Sequence, residues 1–372
     1  MNIFSKKTTR SNFAFYTAAT YLTVYAHSVN VVRGMSTKAT PSLSSSSQRS
    51  AGSSAYKIID SHLHVWANEI ESKQYKYEDG QTPPESLKNN ANVLSLLTKM
   101  KESNVDGALI VQPINHKYDH SYVLEEAMKK YPTIFKGMLL HDPLLPVNDA
   151  IIRLEELALQ GFVGVRYNPY LWPLVEEENN EAGTTSSKKN MLMSTPNGSG
   201  LAVYKRCGEL NMPVGIMCFK GLDLHIDDIR SLLESSSKTM MILDHFSFTS
   251  LSTNDGSSDN DDNNDKVFQQ LLQLGKDYPD QLIIKISALF RLGDLDGCPY
   301  TRLQKERFEP LLEVFGSDRL MFGSDFPFVL EQQESYSGTI DLISNVWLQD
   351  YPETVKTSIM GGTAERLFGK WD

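Results

Sequence analysis

The first 56 residues contain no aspartate or glutamate, while Lys6, Lys7, Arg10, Arg33, Lys38 and Arg49 all fall among them. From 36 to 54 the chain is mostly Ser, Thr and Ala. A basic, acid-free, Ser-rich leader reads as an organelle transit peptide, for a mitochondrion or plastid. A secretory signal cleaved near Ala26, or a tail with no address, are the alternatives. Long apolar runs are also missing. The mildly apolar stretch 13–26 is broken by Thr and Tyr and is too short for a bilayer, so no membrane association is expected of the mature form. Cysteine is scarce: Cys207, Cys218 and Cys298 are odd in number and lack ligand-like spacing, which argues against a disulfide framework. Basic residues are in the minority. Without the leader's six, 36 − 6 = 30 Lys+Arg face 46 Asp+Glu, a balance of −16. Nucleic acid is thereby disfavoured as a partner, because phosphate neutralisation needs a basic face. A small anionic substrate stays open, since a few arginines can dominate a pocket.

What the remaining chain does have is alternation. Strand-like apolar runs occupy 57–61, 107–112, 135–140, 162–167, 213–218, 240–244, 282–286 and 319–322. Helix-like periodic stretches lie between them, at 93–103, 122–131, 147–160, 202–211, 226–235, 267–278 and 304–315. Alternating β and α units imply parallel strands with right-handed crossovers. Eight units predict a (β/α)8 TIM barrel, a single α/β domain over 57–372 behind a disordered leader at 1–56. The competing open, doubly wound sheet usually has a Gly-rich turn after an early strand. Here that turn carries two histidines.

Three segments read as insertions. Residues 73–84 are polar and turn-rich, able to shape a pocket mouth. Residues 176–200 and 251–265 are acidic and poor in apolar side chains, which predicts flexible loops. A calcium site in 255–265 is disfavoured, because no Gly and terminal Glu stand where a calcium loop needs them.

In such a barrel the C-terminal ends of the strands form the active site. Here those ends are unusually polar: His62 and His64; Gln112, Asn115 and His116; His141 and Asp142; Arg166 and Asn168; Met217 and Cys218; Asp244 and His245; Lys285 and Ser287, with Arg291 beyond; Ser324 and Asp325. A single histidine at a strand end is commonly structural, and a carboxylate there is commonly a helix cap. That bland reading weakens when such groups end four or more strands that must converge.

The ordered set His-x-His (62–64), Gly-Val-Arg-x-Asn (164–168), Leu-Asp-His-Phe (243–246), Lys-Ile-Ser (285–287) and Phe-Gly-Ser-Asp-Phe-Pro (322–327) resembles the amidohydrolase superfamily. The tail from Met360 to Gly369 is similar to a closing motif of its amidohydrolase-related branch, with Thr363 where an Asn is common. Within that branch, which holds decarboxylases and lactonases, the pattern is most similar to 2-pyrone-4,6-dicarboxylate lactonase and sugar-lactone hydrolases. The resemblance spans 57–371. Metal-dependent members have a histidine ending the fifth strand, and Met217 stands there in this chain. A thioether is a poor zinc ligand. Only His62, His64 and Asp325 remain as obvious ligands for a single zinc ion, with Cys218 in reserve, so metal-free chemistry is the favoured expectation.

The resemblance implies hydrolysis of a small carboxylated lactone. Asp325 would act as general base on water, and His62, His64 and His245 would polarise the carbonyl. Arg166 and Arg291 would bind substrate carboxylates, with Gln112 and Asn168 lining the same pocket. Arg166 has an alternative as an ion-pair partner of Asp142 or a neighbour. Asp244 receives no chemical role. Two other readings stay open: a metal-dependent decarboxylase or hydrolase of an unsaturated or aromatic acid, and a barrel that binds a small acid without turnover.

Overall fold

The computed structural model describes residues 56–176, 188–252, 259–294 and 296–372. Apart from Tyr56, the predicted leader lies outside the described residues. Eight parallel strands stand in the order β1 (Ile59–Leu63), β2 (Gly107–Val111), β3 (Phe135–Leu140), β4 (Phe162–Tyr167), β7 (Val214–Ile216), β8 (Met241–Leu243), β9 (Leu282–Ile286) and β10 (Leu320–Phe322). A separate antiparallel pair, β5 (Leu174–Glu176) and β6 (Lys188–Asn190), stands beside them in sequence between β4 and β7. The ring closes where Leu63 bridges Phe326, where His64 N donates to Phe326 O at 2.7 Å, and where Asp325 N donates to His62 O at 2.9 Å. The architecture is a (β/α)8 barrel.

Helices cover the strands for local reasons. In Val93–Glu102 the Asn92 side chain caps the first turn by accepting from Ser95 N at 2.9 Å, and Val93, Leu96 and Met100 form the buried stripe. Val147–Leu159 follows Pro146 and buries Ala150, Leu154 and Leu157. The helix Asp259–Asp277 begins inside the acidic segment read as a loop. Its later turns bury Val267, Phe268, Leu271, Leu272 and Leu274, and this anchored face carries the helix back into the polar run. The segment 176–200 likewise contains β6. Its residues 177–187, like 253–258 of the second insertion, lie outside the described residues. No helix among the described residues is long and apolar enough to cross a membrane.

The barrel interior has two layers. Ile59, Leu109, Val111, Met138, Ile242, Ile283 and Met321 pack together with Ala364, Phe368 and Trp371 from the C-terminal segment. Trp371 donates from Nε1 to Ile134 O at 3.0 Å, which seats its ring beneath the strands. Above this apolar layer the inward positions become polar. On β1 the switch depends on a register slip between Asp60 and Leu63. Ile59 belongs to the apolar layer, yet His62, an odd number of positions later, also faces inward. A regular strand would alternate and send His62 outward.

Asp60 fastens this slip to β10. Its Oδ1 accepts from Ser324 N at 2.9 Å and from His62 N at 3.2 Å, and its Oδ2 accepts from Ser324 Oγ at 2.6 Å. Burial nevertheless raises its pKa from the ordinary 3.8 to about 6, against these hydrogen bonds. The folded state therefore holds this proton more tightly than the unfolded chain. Asp60 thus stabilises the fold less as pH rises through the interval from 3.8 to about 6, by roughly 3 kcal/mol in all. Asp60→Asn removes that dependence. Its stability relative to the unsubstituted protein should improve by up to about 3 kcal/mol between about pH 4 and about pH 7.5 in urea unfolding. Parallel pH curves would show that Asp60 does not titrate in this interval.

Candidate active site

Strands β1, β4, β8, β9 and β10, with the turns after them, deliver His62 and His64, Arg166, Asp244 and His245, Lys285 and Ser287, and Asp325, all buried. Gly323 leaves room for the first histidine: a Cβ there would stand 2.7 Å from His62 Cβ. The backbone around the site is strained. His245, Phe246, Ser247 and Phe248 are consecutive left-handed residues, with φ of 54, 52, 58 and 54°, and Asp325 has φ 61°. Such conformations cost non-glycine residues roughly 1–2 kcal/mol each, so surrounding packing must impose them. Phe246 and Ser247 are fully buried under that turn.

Asp325 is the hub. Its Oδ2 accepts from Arg291 Nε at 3.0 Å. Its Oδ1 lies 3.9 Å from His64 Nε2 and 3.8 Å from His245 Nε2. Burial raises the proton affinity of this carboxyl, and Arg291 opposes the shift. Arg291 itself lies against the rings of Phe290 and Phe328, 4.9 Å from each. His62, His245 and Asp325 each place one ligand-type atom within 4.8 Å of the others, so this group could hold a metal. The set includes His245 rather than the His64 of the sequence reading.

The histidines are neutral. Burial lowers the affinity of His62 for a second proton to about 3, and that of His64 and His245 well below the ordinary 6.5. Their hydrogen bonds assign different duties. His64 Nδ1 donates to Val111 O at 2.8 Å, so its Nε2 carries a lone pair and can only accept. This hydrogen bond does not fit the expectation that His64 polarises a carbonyl, because the Nε2 that faces Asp325 has no proton to give. His245 Nδ1 lies 2.8 Å from Ser287 Oγ, whose hydroxyl can donate to it and leave Nε2–H facing the pocket.

Behind His62 stands a buried charge cluster. Lys285 Nζ lies 3.1 Å from His62 Nδ1 and 3.3 Å from Asp244 Oδ1. Arg166 Nη2 lies 3.3 Å from Asp244 Oδ2. Burial alone would raise the Asp244 carboxyl, but Lys285, His62 and Arg166 hold it well below the usual range. Burial lowers Lys285, with Asp244 opposing. Arg166 therefore pairs with Asp244 and not with Asp142, whose Oδ1 accepts from Leu144 N. Arg166 Nε and Nη2 remain buried without a hydrogen-bond acceptor.

The remaining strand-end residues do other work. Gln112 donates from Nε2 to Lys117 O and Asp119 O, which ties down the loop after β2. Asn168 accepts from Tyr170 N at 3.2 Å and caps the turn Pro169–Leu171. His116 accepts from Ala67 N and donates to Lys76 O, stapling two loops together. His141 sits among Tyr167, Trp172 and Ser199.

A family model for amidohydrolases matches residues 59–370. The chain belongs to the amidohydrolase family. No curated protein matches its sequence. Among solved structures, this amidohydrolase is similar to a probable 2-pyrone-4,6-dicarboxylic acid hydrolase from Acinetobacter baumannii with citric acid bound, at 22% identity and TM-score 0.62, over 84% of this chain and 100% of that one. It is also similar to an amidohydrolase from Burkholderia multivorans with bound zinc, at 17% identity and TM-score 0.59, over 84% and 99%. A third is 5-carboxyvanillate decarboxylase from Sphingomonas paucimobilis, at 13% identity and TM-score 0.55, over 84% and 99%. At these identities the likeness is one of fold. The enzyme is thus an amidohydrolase with hydrolase-type groups at its barrel mouth.

Proposed function

We propose that this amidohydrolase cleaves a small carboxylated lactone without a metal. The observation that carries the reading is Asp325: a buried carboxylate, gripped on one oxygen by Arg291, with its other oxygen facing the Nε2 atoms of His64 and His245. A water bound by Asp325 and the lone pair of His64 would have both hydrogens accepted. As its oxygen attacks the ring carbonyl, Asp325 takes one proton. The carbonyl oxygen becomes an oxyanion held by Nε2–H donors of His62 and His245, where preorganised donors contribute most. Collapse breaks the ring ester bond, and the departing oxygen recovers the proton from Asp325. Water is added and an open-chain acid results. The buried Arg166 Nε, which has no hydrogen-bond acceptor, and the partly exposed guanidinium of Arg291 suit a substrate carboxylate. The similar enzyme that holds citric acid supports an acidic ligand.

The charges around the candidate metal group support the metal-free reading. Arg291 lies on Asp325, Lys285 on His62, and Arg166 behind both, so a divalent ion would join three cations. Met217 adds no imidazole at the end of β7. The second reading, a metal-dependent decarboxylase or hydrolase, is favoured by the convergence of His62, His245 and Asp325 and by the zinc-bound relative. One experiment separates them: a hydrolysis screen of carboxylated lactones before and after dialysis against chelator. The metal-free reading expects turnover that survives dialysis. Stoichiometric zinc together with loss of activity would transfer the case to the metal enzyme.

A further inference from the structure

We infer that Lys285 is a positioning residue: it keeps the His62 proton on Nε2, so that His62 presents a hydrogen-bond donor to the pocket instead of a metal-binding lone pair. The assignment deepens the metal-free reading above and rests on it for its catalytic meaning. Lys285 is fully buried on β9, and its amine forms a hydrogen bond with His62 Nδ1 at 3.1 Å. The Asp244 carboxylate 3.3 Å away favours the ammonium form, which has no lone pair and can only donate. Nδ1 must then accept, and a neutral ring with an accepting Nδ1 carries its proton on Nε2.

One competitor stands nearby. Asp244 Oδ1 lies 3.1 Å from the same Nδ1 and would take a proton from it. Asp244 already faces two cations, Lys285 at 3.3 Å and Arg166 at 3.3 Å, so its charge is met without the ring. With the proton on Nδ1, the ammonium would face an N–H at hydrogen-bond distance, donor against donor. On the pocket side, His62 Nε2 has no protein partner. His62 belongs with His245 and the Asp325 carboxylate to the group whose ligand-type atoms lie within 4.8 Å of one another. If His62 Nε2 were a lone pair, it would stand beside the Asp325 carboxylate as a second acceptor of that group, which is the arrangement that draws in a metal ion. As Nε2–H, the same atom becomes the donor that an ester carbonyl needs. A lysine that touches neither water nor substrate would thus decide which chemistry the histidines perform.

The test is nitrogen-15 spectroscopy of histidine-labelled full-length protein at neutral pH, with no substrate present. The chain has eight histidines, and the His62 signals are assigned by their loss in His62→Gln. The unsubstituted enzyme should show His62 protonated on Nε2. In Lys285→Met the proton should move to Nδ1, toward Asp244, and zinc chloride titrated into that variant should bind about 10-fold tighter or more, the scale of outer-shell effects on metal sites. Three results would overturn the inference: an Nδ1 proton in the unsubstituted enzyme, an unchanged tautomer in Lys285→Met, or unchanged zinc affinity. If Lys285→Met does not fold, the unsubstituted spectrum alone decides. A lactone screen without turnover would defeat the substrate reading and leave the tautomer result standing.

Discussion

Asp325→Asn should lower the rate of lactone hydrolysis by about 10²–10⁴-fold, the usual contribution of a positioned base. The substitution isolates proton transfer. Asparagine tolerates the left-handed φ of 61° at this position and keeps an oxygen for Arg291 Nε. The backbone bond from residue 325 to His62 O, which closes the barrel, is untouched. Removing a buried charge whose proton affinity burial already raises should leave stability unchanged or slightly higher. The informative measurement is turnover of a folded variant under saturating substrate. Near-normal turnover would show that Asp325 is only a turn residue, and most of the case for its role as base would go with it.

Arg166→Met should act on binding. Its Nε is buried without a hydrogen-bond acceptor, and its Nη2 meets only Asp244 at 3.3 Å, so under the proposed reading the guanidinium has room for a substrate carboxylate. Losing one partner of a buried charge pair costs about 2–5 kcal/mol, or roughly 30- to 5,000-fold in kcat/KM. The loss should appear for a carboxylated lactone and largely vanish for a neutral lactone of the same ring. Lys285 still faces Asp244 in this variant, which limits damage to the fold. Equal losses on both lactones would mean that Arg166 supports Asp244 and does not read substrate charge.

The barrel and its catalytic end were legible because periodicity is a local property. Runs such as Leu282–Ile286 announce buried parallel strands, and their ends mark the pocket before any contact is known. The roles of Asp244 and Lys285 were not legible. Each reads alone as a cap or a stray charge, and their meaning comes from a meeting between neighbouring strands β8 and β9 at 3.3 Å. One signal was present: Lys285 interrupts an otherwise apolar strand, and lysine is almost never fully buried unless paired. The acceptor role of His64 depends on Val111, a carbonyl contributed by the neighbouring strand. The left-handed turn at 245–248 carries no glycine, so nothing in His-Phe-Ser-Phe advertised it.

The register slip on β1 matters to anyone who would move this chemistry elsewhere. Grafting residues 59–64 as a block onto a regular strand of another barrel, with Ile59 still facing in, would aim both rings at the surrounding helices. The transplant would have to carry the extra half-step, its Asp60–Ser324 clasp and the side-chain-free Gly323 as one cassette. The portable unit of this enzyme is therefore a kinked seam between its first and last strands, and the histidines are its passengers.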